Sequence, residues 1–279
     1  MINLVVALPA EARPLIDFYR LGDKTTIGTF RVYRHADMSL IISGPGKVAA
    51  AAATALLAGR NTPGKQMAWL NIGIAGHATY STGQSLHAHR ITDHATGKSW
   101  YPPQLFDLPT TTDSLLTVDA PENDYHQDVA YDMEASGYYA VASRFSSMEL
   151  VQCFKVISDN RGQPTATITA KSCTQLVTQK LDEIDLLVRA LVSLAQEVNR
   201  WRAPPSGLEQ LSAQWHFTVS QQHQLAELAR RWQVLMPDQP LWLGEFDRKK
   251  NAAAVLQSLQ QHLDALAPGP AQKAHNSRV

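Results

Sequence analysis

The stretch YDMEASGYYAVASRFSSMELVQCFKVISDN, residues 131–160, decides the fold. Its first half opens on Asp132-Met133-Glu134, is rich in Ala and Tyr, and predicts a helix. Its second half, CFKVIS at 153–158, predicts a buried strand that ends on Asp159. An acidic pair entering a helix and a carboxylate at the carboxyl end of a strand meet at the rim of one sheet. In open α/β sheets that rim is where ligands bind.

Upstream, three more junctions have the same form. INLVVAL at 2–8 is a short apolar run that suits a strand buried on both faces. Pro9 then suits the first turn of a helix, with Leu15, Ile16 and Tyr19 at helical spacing. Glu11 therefore lies at a strand-to-helix turn, where a lone carboxylate complements the helix dipole. Residues 30–33 and 38–42 predict paired strands across a polar turn. SGPGK at 43–47 follows, and leads into an Ala-rich helix to about residue 57. It lacks the Lys-Ser/Thr pair of a Walker loop, yet its glycines leave amides free to approach an anion or a sugar. AWLNI at 68–72 predicts the next buried strand, and Gly73-Ile74-Ala75-Gly76 a second narrow turn.

Taken together, these motifs resemble the purine nucleoside phosphorylase and nucleosidase superfamily, whose members split N-ribosidic bonds. Met133-Glu134-Ala135 with Ile157-Ser158-Asp159 is similar to its ribose-binding and acid-bearing pair. LVVALPAEA at 4–12 is similar to its first strand and turn, SGPGKV at 43–48 to its second-strand glycine loop, and NIGIAG at 71–76 to its third-strand loop. The resemblance implies an α/β fold with a mixed central sheet flanked by helices. It implies a small-molecule nucleoside as partner, a homo-oligomer, and no cofactor beyond inorganic phosphate, the co-substrate of a phosphorylase.

The resemblance also implies roles. Asp159 is the acid at the leaving base, Glu134 accepts hydrogen bonds from the ribose hydroxyls, and Met133 packs on the sugar. Gly44, Gly46, Gly73, Ala75 and Gly76 border the nucleophile or an anion. Glu11 looks like the water-activating carboxylate of the branch typified by methylthioadenosine/adenosylhomocysteine nucleosidases. A carboxylate there would repel a phosphate dianion, and Arg13, two positions along the helix, points away from it. Hydrolysis is thus expected over phosphorolysis. A catalytically silent nucleoside-binding or scaffolding module is the remaining alternative, motivated by departures from the family pattern. Ile74 stands where relatives carry a hydroxyl residue, and His77, expected at the surface, stands where they carry a glycine.

Composition narrows the partners. Lys plus Arg and Asp plus Glu number 25 each, so no charge excess points to nucleic acid or an anionic membrane. The two cysteines, Cys153 and Cys173, form no CxxC and no disulfide framework. No apolar run approaches membrane-spanning length and the start has no signal-peptide pattern, which predicts a cytoplasmic protein. His87, His89, His94 and Asp93 have the look of a solvated rim, and no metal is expected. Trp100, Tyr101 and Phe106 are candidates to stack on a base or to form a hydrophobic lid over a neighbouring subunit.

From about residue 170 a long amphipathic helix is predicted, with Val177, Leu181, Ile184, Val188, Leu191 and Val198 on one face. APPSG at 203–207 breaks it and serves as a linker after a domain of residues 1–202. Residues 208–266 predict a C-terminal helical extension with two apolar stripes, Leu225/Leu228/Trp232/Leu235 and Val255/Leu259/Leu263/Leu266. The polar tail 267–279 is expected to be disordered.

Overall fold

A computed structural model describes residues 1–61, 64–241 and 244–266, without the side chains of 245 and 247. Two compact units divide the chain, Met1–Val198 and a second that begins at Asn199. The expected tail 267–279 lies outside the described residues.

The first unit is built on a mixed sheet. Strand β1 (Ile2–Val6) is parallel to β4 (Met38–Ile42) on one side and to β5 (Ala68–His77) on the other. Beyond β4 run β3 (Phe30–His35) and β2 (Asp23–Ile27), an antiparallel meander. On its far side β5 is parallel to β10 (Val151–Asp159). Strand β10 pairs with β6 (Ser85–Asp93), which carries the short β7 (Ser99–Trp100) and is parallel to β8 (Thr111–Thr117). Strand β9 (Ala130–Asp132) joins β8 to Gly76 and His77 at the end of β5. Five strands, β5, β10, β6, β8 and β9, therefore close into a ring.

Alternation along β1 explains the two layers. Ile2, Leu4 and Val6 face one core with Leu40, Ile42, Leu70, Ile72, Phe154 and Val156. That core is covered by helices α1 (Pro9–Phe18), α4 (Ala170–Thr178) and α5 (Leu181–Arg202) through Leu15, Val177, Ile184, Leu187 and Leu191. Val5, Ile41 and Trp69 face the other core, beneath α2 (Lys47–Ala58) and α3 (Ala135–Ala142). Each fully buried Leu or Ile removes apolar surface worth about 1.5–3 kcal/mol from water.

Three local expectations change. The segment 73–76 is not a turn but the continuation of β5, because β10 and β9 supply its hydrogen bonds. Helix α3 starts at Ala135, since Asp132 is still in β9 and its Oδ2 accepts the Ala135 amide at 2.8 Å. The long helix from residue 170 is two helices, the second beginning at Leu181 after Gln179 closes the first.

In the second unit, α6 (Leu208–Gln214), α7 (Val219–Leu235) and α8 (Ala252–Leu266) enclose a separate core. Leu225, Leu228 and Trp232 of α7 pack with Val255, Leu259 and Leu263 of α8, and Phe217 and Phe246 complete it. Among the described residues no helix is long and apolar enough to cross a membrane.

Candidate active site

A pocket of about 320 Å3 opens at the carboxyl ends of β1, β5 and β10, and its lining includes Leu8, Glu11, Ile74, Gly76, Met133, Glu134 and Asp159. Four segments far apart in sequence thus converge as the motifs require. The pocket also takes walls that the motifs do not contain, from Val118, Glu122, Tyr131, Thr165 and Ile168.

Glu11 is 2% exposed. Its Oε2 accepts the Leu8 amide at 2.8 Å and its Oε1 accepts the Ile74 amide at 2.9 Å. Burial raises its pKa to about 7, against the opposing pull of Lys155 and those two amides. Gly73 makes room for it, since a Cβ there would stand 2.9 Å from Glu11 Oε1.

Glu134 borders the same pocket and its Oε1 accepts the Gly46 amide at 2.8 Å. The SGPGK loop therefore spends an amide on a carboxylate. Burial raises the Glu134 carboxyl, while Lys155 works in the opposite direction. Lys155, buried at 1% exposure in the middle of β10, places Nζ 2.9 Å from Asp132 Oδ2. Burial alone would lower its pKa; Asp132 and Glu134 override that and hold the ammonium above the ordinary lysine range. Asp132 is further fixed by Thr117, whose hydroxyl donates to Oδ1 at 2.8 Å.

Asp159 has different company. Its Oδ2 accepts from the Tyr125 hydroxyl and, at 2.7 Å, from Thr165; its Oδ1 accepts from Ser158. The β10–β5 register slips between Ile157 and Asp159, a bulge that re-aims the strand end. Gly76 faces Asp159 there, and a Cβ on it would meet Asp159 Oδ2 at 2.7 Å and the Tyr125 hydroxyl at 2.9 Å.

Solved structures share this architecture. The 5′-methylthioadenosine/S-adenosylhomocysteine nucleosidase of Helicobacter pylori with butyl-thio-DADMe-Immucillin-A superposes with a TM-score of 0.55 at 13% identity, over 69% of this chain and 97% of that one. The 5′-methylthioadenosine nucleosidase of Arabidopsis thaliana in apo form gives 0.55 at 17% identity, over 70% and 95%. Futalosine hydrolase of Helicobacter pylori gives 0.50 at 14%, over 65% and 97%. The chain has the nucleoside phosphorylase-like fold. No family model matches it, and no curated protein matches its sequence.

Within this nucleoside phosphorylase-like fold several expectations are corrected. His77 is not at the surface but fully buried and stacked on Tyr80. Its Nδ1 accepts the Thr79 and Tyr80 amides at 3.1 and 3.2 Å, so the ring proton sits on Nε2, which faces Asp113 at 3.3 Å. The aromatic residues Trp100, Tyr101 and Phe106 are not among the pocket walls: Trp100 pairs in β7 near Tyr139, Tyr101 is exposed, and Phe106 packs on the α1/α4/α5 core. Gly44, Gly46 and Gly73 are not pocket walls either, while Pro45, Ala75 and Gly76 are.

The histidines and Asp93 have other partners. His87 is buried against Gln152 Oε1 at 2.8 Å, and His89 reaches Ser114 at 3.4 Å. Burial would raise Asp93, but Lys47, Thr96 and Ser136 hold it at about 2, as an ion pair with Lys47 at 2.9 Å. Glu122, Asp124 and His126 lie close together, yet Glu122 Oε1 already accepts three amides. Burial lifts both cysteine thiols to about 12, which leaves them unreactive.

Tyr125, Thr165 and Lys155 were missed as site residues. Tyr125 lies in an irregular loop with φ +49° and without periodicity, so no local pattern marks it. Lys155 did carry a signal, a lone cation inside the apolar run CFKVIS, which calls for buried carboxylates as partners.

Proposed function

We propose that the chain cleaves the N-ribosidic bond of a nucleoside or 5′-modified nucleoside, with water as the nucleophile. The observation that carries this reading is Glu11: a pocket carboxylate, raised to about 7, on the two amides that an incoming phosphate would need. A base with that pKa is half ionised at neutral pH, where proton transfer is most effective. Phosphorolysis would bring a dianion against Glu11 and Glu134, with Leu8, Ile74 and Gly46 amides already engaged.

In this mechanism Glu11 takes a proton from water as the water oxygen bonds to the anomeric carbon. The carbon–nitrogen bond breaks with its electron pair passing to the base, and Asp159 supplies the proton or hydrogen bond that the departing base needs. Glu134 accepts from the ribose hydroxyls and Met133 packs on the sugar. Lys155, with Asp132, balances the charge beneath them, so that two carboxylates can lie near a cationic transition state. The related structures named above carry nucleosidase and hydrolase names, which supports hydrolysis. The same reading assigns catalysis to residues 1–202 of a cytoplasmic homo-oligomer, needs no cofactor, and leaves residues 208–266 as a helical appendage.

The test is base release from a panel of purine, pyrimidine and 5′-modified nucleosides, with and without phosphate. Release that is independent of phosphate and falls at least about 100-fold in Asp159→Asn is the expected result. Release only with phosphate, yielding a ribose 1-phosphate, would overturn hydrolysis, and tight binding without turnover would indicate a silent module.

A further inference from the structure

Glu134 reaches the pocket from the junction of two helices. It immediately precedes α3, and its Oε1 accepts the amide of Gly46, which immediately precedes α2. The two helix starts touch, since a Cβ on Gly137 would stand 1.9 Å from the Lys47 carbonyl oxygen. They are anchored differently. The α3 start is tied to the sheet: Asp132 Oδ2 accepts the Glu134 and Ala135 amides at 3.3 and 2.8 Å, and Thr117 Oγ1 accepts the Ser136 amide at 3.0 Å. The α2 start follows a loop in which Gly44 and Gly46 have φ of +79° and +96°, a path open to few other residues.

Asp93 joins the two. It ends β6, is 6% exposed, and is not among the pocket walls. Its Oδ2 accepts from Lys47 Nζ at 2.9 Å and from the Ser136 hydroxyl at 3.0 Å. Lys47 is the residue after Gly46, and Ser136 is two after Glu134. Its Oδ1 accepts the Thr96 amide and hydroxyl, both at 2.9 Å, which fixes the plane of the carboxylate. Lys47 also pairs with Asp119 at 2.9 Å, but the Asp119 side chain is 64% exposed, and exposed pairs hold little. A buried ion pair adds little stability over well-packed apolar residues. What the donors around Asp93 supply is geometry.

We propose that Asp93 is a positioning residue: by clamping the starts of α2 and α3 together it aims the Glu134 carboxylate at the ribose hydroxyls. The inference rests on the ribose-binding role of Glu134 in the nucleosidase reading. Asp93 itself touches no substrate. Without the clamp the Gly46 amide and Glu134 shift against each other, and misplacing a positioned group by about 1 Å can cost on the order of 100-fold in rate. Glu134 acts on the sugar hydroxyls, so the loss falls on substrates that carry them.

The experiment compares a ribonucleoside with the 2′,3′-dideoxynucleoside of the same base. Wild-type protein is set beside Asp93→Asn, whose amide nitrogen cannot accept from Lys47 and Ser136 while its carbonyl still serves Thr96. In the variant kcat/KM is expected to fall about tenfold for the ribonucleoside and to stay within about twofold for the dideoxynucleoside. Lys47→Met is expected to repeat this selective loss, Lys47→Arg to keep the wild-type ratio, and Ser136→Ala to give a smaller loss of the same selectivity. Equal losses for the two substrates in variants with a wild-type circular dichroism spectrum identify a merely structural ion pair and overturn the proposal, as does no loss for either. If Asp93→Asn does not fold, Lys47→Met and Ser136→Ala decide by the same criterion. If the ribonucleoside releases no base, the hydrolytic reading fails and titration calorimetry with the same pair decides the clamp alone. If only the dideoxynucleoside is unreactive, the same titration in an Asp159→Asn background decides it. Tighter binding of the ribonucleoside that is lost in the clamp variants sustains the proposal; equal binding, or a difference that the variants keep, overturns it.

Discussion

Glu11 and Asp159 line one pocket in two different electrical environments. On the Glu11 side, three buried carboxylates, Glu11, Glu134 and Asp132, share one buried ammonium, Lys155. On the Asp159 side, among the described residues, no cation is in ion-pair contact, and the carboxyl is held by hydroxyls from Tyr125, Ser158 and Thr165. In the proposed mechanism, charge sharing keeps anions in place where a sugar cation would develop. Hydroxyl donors, which rotate and can also accept, suit a group that exchanges a proton with a leaving base. The contrast teaches that one rim can serve two chemistries through partners contributed by neighbouring strands and loops.

The largest effect is expected from breaking the shared charge. Lys155→Met leaves buried carboxylates without a partner, and removing one member of such a pair costs about 3–5 kcal/mol. Urea denaturation should show this as a much lower midpoint, and the deficit should narrow as pH falls. Glu11 and Glu134, whose carboxyls burial already raises, then take up protons and the uncompensated charge disappears. An unchanged midpoint would mean that the three acids do not depend on Lys155.

Next in size is the base itself. In wild-type protein kcat/KM should rise with pH through about 7, as Glu11 loses the proton that burial helps it retain. Glu11→Gln should lower the rate by about 100-fold or more and abolish that rise. A variant that keeps the rise would assign it to a different group.

The smallest effect sharpens the Asp159 side. Tyr125→Phe removes one donor to Asp159 Oδ2 and keeps the ring that packs on Tyr131. About a tenfold loss in kcat, with KM little changed, is expected from the loss of one hydrogen bond. Wild-type kinetics in this variant would show that Ser158 and Thr165 suffice.

Legibility followed sequence distance. Strand β1, the Ala-rich α2 and most of the stripes of α7 and α8 are written in consecutive residues and form where periodicity places them, but Leu235 and Leu266, at the helix ends, are exposed and not part of the core. Strand β6 was missed: its SLHAHRITD is polar enough to look like a rim, and it is buried because β10 and β8 flank it. The acids Glu11, Glu134 and Asp159 could be found because each sits beside a helix start or strand end. Their partners could not, since Tyr125, Thr117 and Thr165 come from turns and strands with no pattern that points to the pocket.

By itself the sequence determined the alternation of side chains that buries β1, β5 and β10 on both faces, the acids Glu11 and Asp159 at the carboxyl ends of β1 and β10, and Glu134 at a helix start. Those are local properties, set by the side-chain period of a strand and the chemistry of a turn. Only the tertiary structure decided that the GIAG segment is strand, that His77 is core, and that Lys155 lies beneath the acids. It also decided which amides Glu11 and Glu134 occupy. These depend on closing the β5–β10–β6–β8–β9 ring, which puts residues more than 60 positions apart within hydrogen-bond distance and outweighs local preference.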